Sequence, residues 1–497
     1  MNKQIKKTFT NSLFVFGLLG AFSCSKEELT PAADLSQSAV SAATVGTPTV
    51  TFQSKKYIII SSGDKLPANI EGQLKSSNGK LTALLSEVGI ATATSNDPEF
   101  ATKAAKISGV RSVVHDFTYQ GFDPSKVKTV AADNVNPSSS GDSNPFFPLQ
   151  WGHTAIQAPE AWNTGALGQG VKVAVLDSGF DLTHPDLKGN IINSKSFVPT
   201  EPAQFNAAGA SHGTHTAGTI AAVDNDLGVV GVAPSAKLIL VKVLADAGSG
   251  SFSWIMQGIL YAAQQEADVI NMSLGAALPR NSKYLYDNDT PNNPADDYMV
   301  NETKAIQEII VAFNRVTTYA AQQGVTIITS AGNDANNGNA DQDLVHVPSD
   351  APNVISISAT GPTGWANAPL TTNLDEFASY SNYGTSVIDF AAPGGDFDYP
   401  TNEIVVFRGK TQYTWALDMV YSTSARGGYT WMAGTSMAAP HATGVAALII
   451  GKNGGQMDPA KVEAVLRASA DDLGKPGRDA YYGHGRVNAY RAVTAVQ

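Results

Sequence analysis

Short apolar runs and longer amphipathic segments alternate along most of this chain, which predicts strands and helices in turn. From about residue 147 the apolar runs are nearly continuous, as in strands that are buried on both faces of a sheet. They occupy residues 171–176, 237–244, 269–272, 325–330 and 354–358, and helical patterns lie between them at residues 254–265 and 305–323. The pattern predicts an α/β fold, with a parallel sheet covered by helices on both faces.

A smaller pattern occupies residues 50–120. Strands are indicated at residues 56–60 and 110–114, with helical patterns at 79–88 and 100–107 between them. This order of elements within about 70 residues predicts a small α+β domain in front of the larger one.

Two segments rich in small and polar residues separate these parts. Residues 25–49 are rich in Ser, Ala, Thr and Pro and are predicted to form a tether, and residues 121–146 form a second linker. The predicted organisation is therefore a signal at 1–24, a tether at 25–49, a small domain at 50–120, a linker at 121–146 and a large domain at 147–497.

The first 24 residues have the pattern of an export signal. Lys3, Lys6 and Lys7 precede an apolar stretch at residues 13–22, which is too short to span a bilayer. Cys24 follows directly and resembles the lipidated cysteine of a bacterial lipoprotein, although a simple secretory signal explains the same pattern. Both alternatives predict export, to the extracellular space or the outer cell surface, and lipid on Cys24 is the only predicted membrane contact.

Composition excludes several classes of protein. Of the 497 residues, 43% are hydrophobic and 15% are charged, which is typical of a globular chain and excludes wholesale disorder. The net charge of −11 and the lack of basic runs after the N-terminus argue against nucleic acid as a partner. A single cysteine excludes an intramolecular disulfide. We expect a monomer.

Three segments carry candidate chemistry. Asp177 ends an apolar strand, at the edge of an open α/β sheet where sites are built. His212 begins one predicted helix, and Ser436 lies near the start of another, where unpaired N–H groups favour developing negative charge. A serine hydroxyl needs a base, and the base needs an orienting partner, so these residues supply nucleophile, base and orienting carboxylate. His215 lies in the segment of residues 212–218 that begins with His212, and His441 ends the segment of residues 434–441 that contains Ser436. Both are predicted to be packing residues.

In its motifs and in the order Asp, His, Ser, the chain resembles the subtilisin-like serine proteases from Trp151 to its end. The resemblance implies that Asn333, in the segment Ser-Ala-Gly-Asn, donates a side-chain hydrogen bond to the oxyanion. The main-chain N–H of Ser436 is then the second donor.

The resemblance also implies a substrate cleft. Ser273, Leu274 and Gly275 match the family segment that pairs with the substrate main chain as an added strand. Ala331 and Gly332 are expected to line the first specificity pocket. His346 falls where the family often has a small residue at the base of this pocket, so the preferred substrate side chain stays open.

A calcium site is a further implication. Residues 223–229 resemble the calcium loop of the family, in which Asp186 and Asn225 would supply side-chain oxygens. Backbone carbonyls of Val223, Leu227 and Val229 would add more, because calcium takes six to eight oxygen ligands. The alternative is a polar surface loop. The ligand that the family takes from the N-terminal tail is not identified.

Between Ala277 and Thr303 the chain is longer than the simplest family members. This insert is acidic, with Asp287, Asp289, Asp296 and Asp297. A solvated loop is the favoured interpretation, and a second ion site is the alternative.

The predicted function is a secreted serine endopeptidase that hydrolyses peptide bonds in protein or peptide substrates through an acyl-enzyme. Residues 50–120 resemble the inhibitory prodomain of the family, which implies a self-processing zymogen with its processing site in the linker at 121–146. The end of that domain, around residues 117–121, is expected to lie along Ser273, Leu274 and Gly275. A lipid-anchored binding module is the alternative from another class, but such a module would have lost part of the triad. A dedicated processing protease and a broad-specificity enzyme both fit the sequence.

Overall fold

The computed structural model describes residues 50–120, 129–130, 143–280, 283–287, 295, 298–341 and 343–496. The predicted signal peptide, Cys24, the tether and most of the predicted linker lie outside these residues, as do Asp289, Asp296 and Asp297 of the insert. Within the described residues, no helix is both long enough and apolar enough to cross a membrane.

Residues 50–120 form the N-terminal domain, in which two helices pack on one face of an antiparallel sheet. Its elements are β1 (Val50–Ser61), α1 (Ile70–Ser76), β2 (Lys80–Leu85), β3 (Ile90–Thr94), α2 (Phe100–Ala104) and β4 (Val110–Gln120). Strand β1 is central and pairs with β3 and β4, and β2 lies outside β3. Side chains alternate along β1, so that Tyr57 and Ile59 face α1 and α2 while Ile58 and Ile60 face the larger body.

The helix predicted at residues 79–88 is wrong. Residues 80–85 form strand β2, and a single 3₁₀ turn follows at Ser86–Val88. Leucines with helical spacing also suit an alternating strand, and pairing of β2 with β3 along its whole length decides for the strand. The first helix of the domain lies earlier instead, at α1.

The larger body comprises the described residues from 143 onward, together with the short strand β5, which pairs with β22. The strands from β5 to β22 are, in order, Thr129–Val130, Lys172–Asp177, Ile191–Ser196, Lys237–Lys242, Ser249–Ser251, Val269–Met272, Ala276–Pro279, Lys283–Asp287, Tyr298–Asn301, Thr326–Ser330, Leu344–Val347, Val354–Gly361, Glu376–Phe377, Phe390–Pro393, Ile404–Phe407, Lys410–Tyr413, Val420–Thr423 and Tyr429–Met432. The helices from α3 to α11 are Trp151–Ala155, Ala158–Trp162, His212–Ala221, Phe252–Gln264, Thr303–Gln322, Thr414–Leu417, Thr435–Lys452, Pro459–Ser469 and Ala489–Ala495.

The main sheet of this body has the order β17-β16-β14-β10-β6-β8-β7, and β18 also pairs with β16. All of its pairs are parallel except β16 with β17. The five predicted apolar strands are β6, β8, β10, β14 and β16, and the two predicted helices are α6 and α7. The expected α/β class is confirmed.

Helices cover both faces of this sheet because its strands are apolar on both sides. Val173 and Val175 of β6 pack in the core that contains α5 and α9. Ala174 and Leu176, the alternate residues, pack in the core that contains α6 and α7. The N-terminal domain adds its own apolar face to this second core.

The insert after β11 differs from the expected solvated loop. It contains strands β12 and β13, which form a hairpin, and β12 pairs in parallel with the first residues of β1. Main-chain pairing with the N-terminal domain, which no pattern in the insert predicts, is what gives this segment its structure.

Candidate active site

Asp177 and His212 lie side by side at the carboxyl edge of the main sheet. Asp177 is the last residue of β6 and is fully buried, and His212 is the first residue of α5. The His212 Nδ1 atom lies 2.9 and 3.0 Å from the two carboxylate oxygens of Asp177. The carboxylate also accepts hydrogen bonds from the Ser178 N–H and the Thr216 hydroxyl. Because Nδ1 faces a carboxylate, it carries the ring proton, which leaves Nε2 as the base.

Ser436 is the second residue of α9, where its position is fixed by an unusual helix start. Pro440 has no N–H, so the carbonyl of Ser436 lacks its usual helical donor. The Ser273 hydroxyl donates to that carbonyl instead, at 2.7 Å. The Ser436 hydroxyl donates back to the Ser273 carbonyl, at 3.3 Å. The two segments are therefore joined at the position of the candidate nucleophile.

Asn333 follows β14 and faces the same helix start. Its Oδ1 accepts from the Thr435 N–H at 2.9 Å and from the Thr435 hydroxyl at 2.7 Å. A main-chain N–H can only donate, so these contacts fix the amide orientation and leave Nδ2 as a free donor. A Cβ built on Gly434 would lie 3.6 Å from both Asn333 Nδ2 and Ser436 N. Glycine thus keeps open the space between these two donors.

The predicted substrate residues line one cleft beside Ser436. Ser273, Leu274 and Gly275 form one side, and Ala331 and Gly332 form the other. The structure therefore brings together every residue predicted for the substrate cleft. Their contacts with substrate stay predictions.

Asn382 holds the wall of this cleft in place, and the sequence analysis missed it. Its Oδ1 accepts from the N–H groups of Asp334 and Asn336, and its Nδ2 donates to the Ala331 carbonyl at 2.9 Å. Gly332 has a φ of +104°, and a Cβ there would lie 2.4 Å from Asn382 Nδ2. The close approach of Asn382 is thus a second reason for glycine at this position.

The cleft also has a polar side. His346 lines it as expected, and its Nδ1 accepts from Asn382 Nδ2 at 3.2 Å, which leaves the proton on Nε2. Asp334 lines it too, and burial raises the pKa of this carboxyl group.

Two further histidines of the motifs have structural surroundings. His215 and His441 are fully buried, and their ring nitrogens lie 3.1 and 2.8 Å from the Val420 and Met437 carbonyls. Burial lowers the pKa of His215 to about 3 and that of His441 to about 4. Both rings are therefore neutral near pH 7 and serve packing.

The predicted calcium ligands surround one small region. Asp186 is buried, its Oδ2 accepts from the Val229 N–H and the Tyr429 hydroxyl, and its Oδ1 has no hydrogen-bond partner among the described residues. Burial raises the pKa of Asp186. Asn225 lies in the loop of residues 223–229, where its Oδ1 accepts from the Leu227 N–H.

Asn144 completes this region and was not identified from the sequence. The carbonyls of Val223, Leu227 and Val229 converge on its side-chain amide, at 3.3, 2.7 and 2.7 Å. Asn144 lies in a segment that was assigned to the linker by its composition. A single buried amide in a Ser-rich, Pro-rich stretch gives no signal without the structure.

The N-terminal domain reaches this edge of the body through the end of β4. Residues 118–120 pair antiparallel with residues 249–251 of β9. The expected pairing with Ser273, Leu274 and Gly275 is therefore corrected to strand β9. Tyr119 is buried against Phe252, and burial together with the charge of Asp177 raises the pKa of its hydroxyl. The strand end is thus within electrostatic reach of the Asp177 carboxylate.

Comparison with known proteins gives one consistent result. Residues 168–485 match the subtilase family of peptidases. The chain is 35% identical over 344 residues to subtilisin E of Bacillus subtilis (strain 168), which covers 69% of this chain and 71% of that protein. It is 33% identical over 353 residues to thermitase of Thermoactinomyces vulgaris, covering 71% of this chain and 98% of that protein.

A solved structure shows the same fold. The crystal structure of an epidermin leader peptide processing serine protease from Staphylococcus aureus superposes with a TM-score of 0.67 at 22% identity. The superposition covers 89% of this chain and 99% of that one.

Proposed function

The chain belongs to the subtilase family and is a serine endopeptidase, and we propose that it cuts peptide bonds through an acyl-enzyme on Ser436. The observation that carries this proposal is the contact of His212 Nδ1 with the buried Asp177 carboxylate, on the sheet edge that also holds Ser436. Hydrolysis of an unfolded protein by the purified chain, and its loss in Ser436→Ala, test the proposal.

The steps follow from the roles proposed for these residues. Ser436 Oγ attacks the scissile carbonyl carbon and passes its proton to His212 Nε2, while Asp177 stabilises the imidazolium. Asn333 Nδ2 and the Ser436 N–H donate to the oxyanion. The imidazolium then protonates the leaving amine, and an acyl-enzyme forms. Water, with His212 again as base, hydrolyses the ester and frees Ser436.

We assign the N-terminal domain as an inhibitory prodomain. Its support is the position of residues 118–120, which extend β9 at the cleft and place Tyr119 near Asp177. Asp116 strengthens this docking because its buried carboxylate accepts from the Ser253 hydroxyl at 2.5 Å, at the start of α6. Held at β9 and near Asp177, the docked strand would obstruct a substrate strand that pairs with the neighbouring edge at residues 273–275.

Self-processing should cut the chain between Gln120 and Asn144. Residues up to 120 belong to the docked sheet, and Asn144 is buried in the larger body. A peptide bond in the segment between them can therefore be cut without dismantling either part. N-terminal sequencing and intact mass of the mature enzyme measure the site, and the Ser436→Ala precursor should stay whole. An active mature form that begins at Cys24 would refute the assignment of residues 50–120 as removable.

Export follows from the same proposal. The signal at residues 1–24 would direct the precursor out of the cytoplasm, and lipid on Cys24 would anchor it. Because the proposed cut lies after the N-terminal domain, only that domain would stay anchored, and the enzyme would be released.

A calcium ion fits the region around Asp186. The bare, buried Oδ1 of this carboxylate and the three converging carbonyls are the hard oxygens that calcium prefers. Asn225 offers an amide oxygen as well, and Asn144 would offer one with its amide turned so that Oδ1 instead of Nδ2 faces the three carbonyls. No cluster of three acidic, His or Cys side chains occurs in the described ranges, so main-chain oxygens would supply most of the ligands. The ion would stabilise the fold and take no part in the reaction.

Removal of calcium should therefore lower the thermal stability. A ligand that binds only the folded state, at a free concentration of about 100 times its Kd, adds about 2.7 kcal/mol to the free energy of unfolding. Melting temperatures with calcium and with excess chelator measure the difference. Asp186→Asn should abolish the response to chelator, whereas Asp226→Asn, at an exposed position in the loop of residues 223–229, should keep it. An unchanged melting temperature, with no metal by elemental analysis, would refute the site.

A further inference from the structure

The hairpin β12–β13 belongs to the larger body by sequence but to the N-terminal domain by pairing. Residues 51–53 of β1 pair in parallel with residues 285–287 of β12. Strand β13 pairs with the other edge of β12 and ends directly before α7. The insert thus extends the sheet of the N-terminal domain by two strands.

This pairing fills an edge that the N-terminal domain leaves open. Strand β3 pairs with residues 56–60 of β1 and ends at Thr94, opposite Lys56. Residues 51–53 therefore extend beyond β3, and on that side their main chain meets β12. Open strand edges present unpaired donors and acceptors and readily accept another strand. The hairpin is the strand that this edge accepts.

The same stretch of β1 connects the hairpin to the cleft. On its other side, residues 50–52 pair with residues 117–119 of β4, and the end of β4 pairs with β9. In the order β12-β1-β4-β9, the two strands of the N-terminal domain therefore lie between two strands of the larger body. Beneath it, Phe52 lies 5.4 Å from Phe117, and Phe117 lies 3.9 Å from Phe252 of α6, measured between ring centroids.

We propose that the hairpin is a docking strand for residues 51–53, and that it controls how long the N-terminal domain occupies the cleft after the chain is cut. The proposal rests on the proposed role of that domain as an inhibitor. Without β12, the beginning of β1 would lose its support on one side. The end of β4, which pairs with it and lies at the cleft, would then dissociate more easily.

Other contacts would remain in the absence of the hairpin. Arg111 makes an ion pair with Glu308 of α7 at 2.9 Å, and Arg315 of α7 donates to the carbonyls of Ser61 and Gly63. Asp116 would keep its bond to Ser253. Removal of the hairpin should therefore shorten the lifetime of the complex without preventing docking, folding or the first cut.

The test compares two full-length variants with the wild type. In the first, a six-residue glycine–serine linker replaces residues 282–300, which removes both strands. In the matched control, only the connection at residues 288–297 is shortened and both strands stay. Gel electrophoresis measures the time of the first cut, and a peptidase assay measures the rise of activity. The delay between the two should be at least tenfold shorter in the first variant and the same as in the wild type in the control. Final activity per active site should be equal in all three.

Failure of the inference and failure of the proposed inhibitor can be distinguished. A wild type that is active as soon as it is cut would refute the inhibitor. A wild type with a delay that both variants share would refute only the role of the hairpin.

A second measurement does not depend on cutting. In Ser436→Ala precursors, amide hydrogen exchange at residues 51–53 should be faster without the hairpin, while residues 56–60, which pair with β3, stay protected. Equal protection of residues 51–53 in both precursors would overturn the proposal.

Discussion

Ser436→Ala is expected to abolish peptide-bond hydrolysis and to leave the precursor uncut. The Ser436 hydroxyl is the group proposed to form the ester, and alanine keeps the helix while removing it. In subtilisin, a relative of this chain, removal of the nucleophile lowers kcat by a factor of about 2 × 10⁶. We expect a loss of the same order here, measured as kcat on a peptide substrate with active-site concentration set by total folded enzyme.

A serine far from the cleft supplies the control. Ser194→Ala, in strand β7 at the outer edge of the main sheet, should process itself and turn over substrate as the wild type does. Because Ser436 Oγ bonds only to the Ser273 carbonyl among its described contacts, its loss should hardly change the melting temperature. A purified Ser436→Ala chain that still cut its own precursor would refute the assignment.

The positions of the candidate catalytic residues could be predicted because local sequence determines where each one lies. Asp177 ends an apolar strand, and His212 and Ser436 begin helices, so strand and helix ends alone bring them to one edge of a parallel sheet. The fold class could be predicted for a related reason, since strands such as β6 are apolar on both faces. These signals need no information about distant parts of the chain.

Residues that act through long-range contacts could not be predicted. Asn382 is about 50 residues from the carbonyl of Ala331 that it holds, and Asn144 is about 80 residues from the predicted calcium loop. A buried asparagine has no periodic pattern, and only the partners brought by the fold reveal its role. Strand β2 and the hairpin β12–β13 were missed for the same reason, because pairing with a distant strand decides their conformation.

The end of β4 illustrates a third limit. Its proximity to the cleft was expected, yet its partner was named as residues 273–275 instead of β9. Residues 273–275 line the cleft, and β9 begins five residues after Leu244, which also lines it. An extended strand can pair with either edge. Sequence locates the region, but only the register of main-chain pairing decides which edge is used.

Asn333→Ala is expected to lower kcat by about 10²–10³ and to change KM little. Asn333 Nδ2 is free to donate because Thr435 occupies Oδ1 with two hydrogen bonds. The ground-state carbonyl of a substrate carries little charge, and the full negative charge exists only near the transition state. The donor therefore stabilises the transition state more than the bound substrate, and its removal appears in kcat.

Thr435 provides a graded comparison for the same prediction. Thr435→Val would remove the hydroxyl that donates to Asn333 Oδ1 and accepts from the Gly332 N–H, but it would keep the Thr435 N–H. The Asn333 amide would then be held by one hydrogen bond instead of two. Its kcat should fall less than that of Asn333→Ala, and the kcat of Asn333→Ala should fall little further when both changes are combined, because Thr435 acts on the oxyanion through Asn333. Loss of the Gly332 hydrogen bond should instead appear in KM, since Gly332 lines the cleft. Steady-state kinetics of the three variants decide the matter. If Asn333→Ala instead raised KM strongly at unchanged kcat, Asn333 would be a residue that binds substrate in the ground state, and the oxyanion would need another donor.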